Sequence, residues 1–343
     1  MPLDDVHSRV LRASCPARID IGNSLDYPSF YFSLPSRSAH TMNIAIEKRT
    51  SVTWTPSDRR SVTYSAADGP VQDGTGRFAI LDALLAHFQV SGGSFHIGTE
   101  VPRGTGLGGS GMLVVATLGL LKTLMTGPVE ERDWPSIALT AHMFENWLGF
   151  SSTGFHDQLA ALYGGANLWT WGTHLDSEHP FFSRARVDPQ GGSKELERHL
   201  ILCCTGETHA QTTMSDDIGP LPRQELATWA EISAHASSFA AAVQSSEWCA
   251  AAEHLQSECD LRARLRPGCV SERSRLLIDI GQECGIGCRY AGYGHGGCVW
   301  GCGPVSAVQS AMEAWGKRSS AWKDAWVIAP GVAAAGLVVT WTT

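Results

Sequence analysis

Residues 39–66 are rich in β-branched side chains that partly alternate with polar ones, a period of two that predicts two or three strands. The spacing changes at 78–90, "FAILDALLAHFQV", where apolar residues recur every three or four positions as on a helix; "SFHIGTEV" (94–101) returns to strand. An apolar run from Met112 to Met125 is long enough for a helix and stops at Gly127-Pro128. "SIALTAHMFENWLGF" (136–150) predicts a second amphipathic helix. "ANLWTW" and "HLILCCTG" predict strands on either side of a polar stretch at 174–197, which reads as a connection between two lobes. Helices are expected at about 222–263, 272–284 and 304–319, with a glycine cluster, "AGYGHGGCVWGCG", before the last.

The final residues, "AWVIAPGVAAAGLVVTWTT", carry no charge, so a membrane anchor has to be weighed. Pro330, Gly331 and Gly336 and the abundance of Ala and Val speak against a spanning helix, and one or two buried closing strands are expected instead. Strands and helices mix without regular β-α-β alternation and without an internal repeat. The fold class this implies is α+β, with two lobes at residues 1–190 and 191–343.

Composition narrows the function. The chain has 343 residues, 43% of them hydrophobic, enough to bury a full core. Its formal charge of −8, from 34 acidic and 26 basic residues, argues against a protein that binds nucleic acid by neutralising phosphates. The N-terminal "MPLDDVHSRVLRASCPARID" lacks the apolar core of an export signal, so a cytoplasmic location is expected, with no membrane partner. Ten cysteines in such a chain read as reduced thiols. Cys284/Cys288 and Cys298/Cys302 could hold a zinc ion, although each pair has three intervening residues where two is commoner; the alternative is four small core side chains.

Five glycines fall within residues 104–111 of "VPRGTGLGGSGM". Gly104, Gly106 and Gly109 satisfy G-x-G-x-x-G, but the acidic residue of a dinucleotide fold is missing about 20 positions further on. A Walker A loop fails because no lysine follows the last glycine. What remains is bare backbone leading into a helix N-terminus, a cradle for phosphate. The bland alternative is a turn that lets the helix pack closely on a strand.

"PRGTGLGGSG" resembles the P-x-x-x-G-L-G-S-S-A signature of the GHMP kinases, small-molecule kinases that include galactokinase, homoserine kinase and mevalonate kinase. "CPARIDIGNSLDY" is similar to the family's first motif, "FENWLGFSSTGFHDQLAALYGG" to the segment with a glutamate and the catalytic aspartate, and "AGYGHGGCVW" to the third motif. Order and span are the family's, and the Asp-Gln of "GFHDQLAALYGG" is nearest to the branch of heptose-7-phosphate kinase and fucokinase.

The resemblance implies an ATP- and Mg²⁺-dependent kinase of a sugar or sugar-like polyol, acting at an anomeric hydroxyl; an inactive sensor and a kinase of a non-sugar alcohol are the alternatives. It implies Asp157 as catalytic base, with Arg18 keeping it ionised. Pro102, Gly104, Gly106, Leu107, Gly108, Gly109, Ser110 and Gly111 would hold the nucleotide phosphates, and Ser110 and Glu145 the Mg²⁺. Asp26 and Tyr27, with Gly294, Gly296 and Gly297, would bind the substrate. Plainer roles stay open for several of these: a helix cap for Asp157, a surface ion pair for Arg18, a solvated helix face for Glu145 and a turn for Asp26. The chain departs from the pattern at Gly109 and Gly111, which replace a serine and an alanine, and at Asn23-Ser24, where galactokinase carries Glu-His. His209 stands where the branch often has arginine, which favours an unphosphorylated sugar. A homodimer is left open.

Overall fold

Strand β1 (Val10–Ile21) changes character midway: its first half alternates between buried and open positions, while residues 15–21 are buried on both faces. The computed structural model describes residues 10–66, 69–76, 78–148, 154–173, 179–208 and 221–342. After β1 come α1 (Pro28–Tyr31), β2 (Ala39–Thr55), β3 (Ser61–Ala66), β4 (Gln72–Asp73), α2 (Ala79–His87) and β5 (Ser94–Thr99). Then follow α3 (Gly109–Thr126), α4 (Trp134–Trp147), α5 (His156–Tyr163), β6 (Ala166–Trp171), β7 (Phe182–Arg186), α6 (Gly192–Arg198) and β8 (Leu200–Cys204). The rest is α7 (Leu226–Gln244), α8 (Trp248–Leu265), α9 (Glu272–Glu283), β9 (Gly287–Tyr290), β10 (Cys298–Cys302), α10 (Val305–Ser319), β11 (Trp326–Ile328) and β12 (Val338–Thr342).

Two sheets result. The first runs β12-β1-β2-β5-β3-β4, with β6 and β7 continuing from β2, and the second runs β11-β8-β10-β9. The long β2 joins the first sheet together: Thr50–Thr55 pair with β5, and Ala39–Ile44 with β6, while β1 lies along its other side. Helix α3 packs on β1 and β2 and is apolar nearly all round, as a core helix should be. It is long and apolar enough to cross a membrane by composition, yet 67% of it is buried within the fold.

Segment 39–66 makes two strands, within the expected two or three, while two other expectations change. The polar stretch at 174–197 is not a bare connection, because its described part forms β7, paired with β6, and α6. The tail does make two strands, but they are not buried: β11 is half-buried and β12 mostly exposed. Strand β12 pairs with β1, so it crosses the division expected near residue 190 and returns the chain to the first sheet.

The two glycine-rich segments meet backbone to backbone. Gly106 has φ +77°, and a Cβ there would lie 2.4 Å from the Ala291 carbonyl oxygen. A Cβ on Gly297 would lie 2.6 Å from the Thr105 carbonyl oxygen, and the Cys298 amide donates to that same oxygen at 2.9 Å. Gly106→Ala is therefore expected to destabilise the protein by about 1–3 kcal/mol through backbone strain. Gly109→Ala, whose Cβ would meet open space, should change stability by less than about 1 kcal/mol. Urea unfolding of the two variants checks the contrast.

Candidate active site

Alternation along β1 puts Arg18 and Asp20 on one face, with Ala17, Ile19 and Ile21 on the other in the core. A few residues on, Asp26 enters the same region, fully enclosed. Opposite lie His156 and Asp157, the first two residues of α5. Arg18 Nε donates to Asp157 Oδ1 at 2.7 Å, and its Nη2 lies 2.6 Å from the same oxygen. His156 bridges three carboxylates: Nδ1 is 2.7 Å from Asp26 Oδ2, while Nε2 is 2.9 Å from Asp157 Oδ1 and 3.2 Å from Asp20 Oδ2.

The second sheet and α8 beside it complete the arrangement. Arg289, on β9, donates from Nη1 to Asp20 Oδ1 and from Nε to Glu258 Oε2, each at 2.7 Å, and from Nη2 to the Asn23 side-chain oxygen at 2.7 Å. Arg262 of α8 binds Glu258 and the Asn23 carbonyl. Four cations, Arg18, His156, Arg262 and Arg289, thus face four anions, Asp20, Asp26, Asp157 and Glu258. Buried charges persist when they are paired and hydrogen-bonded in this way.

Burial alone would raise the pKa of Asp157, but the Arg18 guanidinium and the His156 imidazolium hold its carboxyl well below the usual carboxylate range. Asp20 is held down likewise: burial is outweighed by Arg18 and Arg289. Burial would neutralise His156, yet Asp26 and Asp157 raise its pKa well above 6.5, so the ring is charged. Both Arg18 and His156 engage Oδ1 of Asp157; Oδ2 has no hydrogen-bond partner among the described residues.

Above Asp157 stands the N-terminus of α3. Its N-cap, Gly108, lies in the left-handed region at φ +81°, and no side chain caps the helix. Gly109 and Ser110 are exposed, and a Cβ on Gly109 would find no atom within 4 Å. First-turn N–H groups facing open space fit a nucleotide's phosphates. A Cβ on Gly108 would sit 3.7 Å from Asp157 Cγ, so the phosphate cradle and the carboxylate are in contact. Gly111 explains one departure from the signature: a Cβ there would come within 3.1 Å of Asp157 Cβ, and an alanine would crowd the approach of α3 to α5.

For Mg²⁺, the exposed Ser110 hydroxyl on the first turn of α3 fits. Glu145 does not lie on a solvated face; it is fully buried on α4 and accepts a hydrogen bond from the Gln158 amide. Pro102 is exposed at the head of the loop, Gly104 has φ +72°, and Leu107 is buried, its carbonyl accepting from the Arg18 amide at 3.2 Å. Tyr27 is half-buried, with its ring 5.7 Å from that of Phe30.

Gly294, Gly296 and Gly297, expected to bind substrate, lie in the loop between β9 and β10. All three are buried; Gly294 is pressed on the Cys269 carbonyl and Gly297 on Thr105, so protein backbone takes the space beside those two. Zinc is not supported. Among the described residues, one group of three or more His, Cys, Asp or Glu side chains has its ligand atoms within 4.8 Å of one another, and it is Asp20, His156 and Asp157. With His156 protonated and an arginine on each aspartate, that group is already charge-balanced. His209 lies outside the described residues. The sequence reading passed over Asp20, His156, Glu258 and Arg289; only the R-I-D alternation of β1 and the histidine next to Asp157 hinted at two of them.

The network should govern stability against pH. Asp20 and Asp157, with lowered pKa values, stabilise the fold above about pH 4 and lose that contribution as pH falls toward their folded values. His156, with a raised pKa, stabilises fully below about pH 6.5 and loses its contribution as pH rises through its folded value. His156→Asn should therefore lower stability by about 3–5 kcal/mol between those limits, with the deficit shrinking at alkaline pH; thermal melts across pH measure it. Arg289→Met, which leaves Asp20 and Glu258 underpaired, should have an effect of similar size by urea titration, about 3–5 kcal/mol.

Comparison with known proteins agrees with this geometry. Residues 77–165 match the family described as GHMP kinases N terminal domain, a span that includes the glycine loop, Glu145 and Asp157. No curated protein matches the chain in sequence. Solved structures match over nearly its whole length. A D-glycero-D-manno-heptose 1-phosphate kinase from Bacteroides thetaiotaomicron has a TM-score of 0.69 at 16% identity, covering 96% of this chain and 98% of that one. Lactococcus lactis galactokinase, solved with galactose, gives 0.68 at 16% identity, over 97% and 95%. Methanococcus jannaschii mevalonate kinase gives 0.65 at 13% identity, over 92% and 96%. Identities this low establish a shared fold. Residues 77–165 thus resemble a GHMP kinase N-terminal domain, and the chain as a whole shares a mixed α+β fold with the heptose 1-phosphate kinase and the galactokinase.

Proposed function

We propose that the protein transfers the γ-phosphoryl group of ATP, with Mg²⁺, to a hydroxyl of a sugar or sugar-like polyol, at the anomeric position. The observation that carries this reading is the contact between an uncapped helix N-terminus and an ionised carboxylate with one free oxygen. Phosphoryl transfer asks a protein for little more: a cradle for the phosphates and a group that orients the attacking hydroxyl.

In this reading the first-turn amides of α3 hold the phosphates, and Ser110 contributes to the Mg²⁺ that would neutralise charge between them. Asp157 Oδ2 accepts the hydrogen bond of the acceptor hydroxyl. Because its pKa is lowered, Asp157 is a weak base in the free protein. Its part is to fix the direction of attack and to accept the proton once the oxygen–phosphorus bond is forming. Arg18 and His156, both on Oδ1, keep it ionised and oriented. Asp26, whose Oδ1 is buried without a partner, offers an acceptor to a second sugar hydroxyl.

ADP release with Mg-ATP against neutral hexoses, 6-deoxyhexoses, heptoses, heptose 7-phosphate, cyclitols and mevalonate tests the proposal. A sugar from the panel should give a phosphorylated product. Asp157→Asn should lower kcat by about 10²- to 10⁴-fold while leaving ATP-induced thermal stabilisation in place. Ser110→Ala should raise the Mg²⁺ concentration needed for half-maximal rate. Normal ATP binding with no product from any acceptor would refute the kinase reading.

A further inference from the structure

A cleft opens between residues 24–30 and helices α7 and α8, lined by Tyr27, Phe30, Trp229 and Tyr293 together with Arg262 and Arg266. Its central ring is fixed from several sides. Phe30 meets Trp229 edge-on at 4.9 Å, the Arg262 guanidinium lies 5.1 Å from the Trp229 ring centre, and the indole Nε1 donates to Glu225 at 3.2 Å. Glu225 also takes Arg266 Nη1 at 3.2 Å, and Arg262 is paired with Glu258. Both guanidinium groups at the cleft are therefore neutralised by carboxylates of the fold.

Phe30 and Trp229 are buried behind the cleft wall, and the half-buried Tyr27 and Tyr293 leave ring surface that suits an uncharged ring. Aromatic faces attract the polarised C–H groups of an apolar sugar face, whereas a phosphate dianion would be desolvated with no uncommitted cation to receive it. The cleft adjoins the reacting region through Tyr27, which follows Asp26 in the chain; Asp26 in turn is held by His156 beside Asp157.

We propose that this cleft is the acceptor pocket, and that it selects an uncharged sugar over one that already carries a phosphate. This rests on the kinase reading for its role, but it is tested by binding alone. Isothermal titration calorimetry of the full chain, with and without Mg-ADP, would use a 6-deoxyhexose, its parent hexose and the hexose 6-phosphate. The 6-deoxyhexose should bind at least about tenfold more tightly than the phosphate ester, a difference within reach of one or two aromatic contacts. Tyr293→Ala should weaken 6-deoxyhexose binding by about tenfold and leave Mg-ADP affinity unchanged. Glu225→Gln, which releases Arg266 from its partner, should raise affinity for the 6-phosphate.

The pocket assignment is overturned if the 6-phosphate binds as tightly as the neutral sugars, if Tyr293→Ala leaves sugar affinity unchanged, or if none of the three sugars binds. Sugar binding that responds to Tyr293→Ala without ADP release would remove the kinase reading and leave the pocket. ADP release by a chain whose sugar affinity ignores Tyr293 would do the reverse.

Discussion

The ion pair between Asp20 and Arg289, 2.7 Å long and shut off from water on both sides, joins strand β1 of the first sheet to β9 of the second. Neither charge could be kept in the interior alone, because the desolvation of an unpaired ion exceeds anything nearby packing returns. Each member therefore recruits others: Arg289 takes Glu258, and Asp20 takes Arg18 and His156. The chain of pairs ends on Asp157. The Asp157 carboxylate is thus held in its charge state and position by groups that come from β1, α5, α8 and β9.

Glycine does two different jobs around this network. At Gly106 and Gly297 it allows two stretches of backbone to touch, which locks the loop before α3 onto the loop before β10. At Gly109 it leaves the first turn of α3 open, so the helix N-terminus faces space rather than protein. Packing at the first set of positions holds still the amides that the second set exposes. That order of dependence, a rigid backbone junction supporting an anion cradle, is what electrostatic stabilisation of a transferring phosphoryl group requires.

Much of this was visible in the sequence because it rests on local spacing. The helix at 109–126 and the strand at 166–171 followed from periodicity. The contact that matters between Arg18 and Asp157 spans 139 positions and could be placed only through the family resemblance. The charged partners Glu258 and Arg289 were not legible, since an ordinary glutamate on a helix and an arginine in a short strand carry no sign that they will be buried. The same limit applies at Gly294 and Gly297, since a glycine that admits a ligand and one that admits a neighbouring backbone look identical in sequence. Glu145 shows it from the other side, because helical periodicity did not reveal that its face is covered.

The closed balance of four cations and four anions requires His156 to be an imidazolium, and nitrogen-detected NMR of the histidine ring, assigned with His156→Asn, measures that directly. The structure predicts that both ring nitrogens of His156 remain protonated at pH 8, well above the ordinary histidine pKa of about 6.5. A ring that loses its proton near that ordinary value would leave three carboxylates around a neutral group and contradict the account.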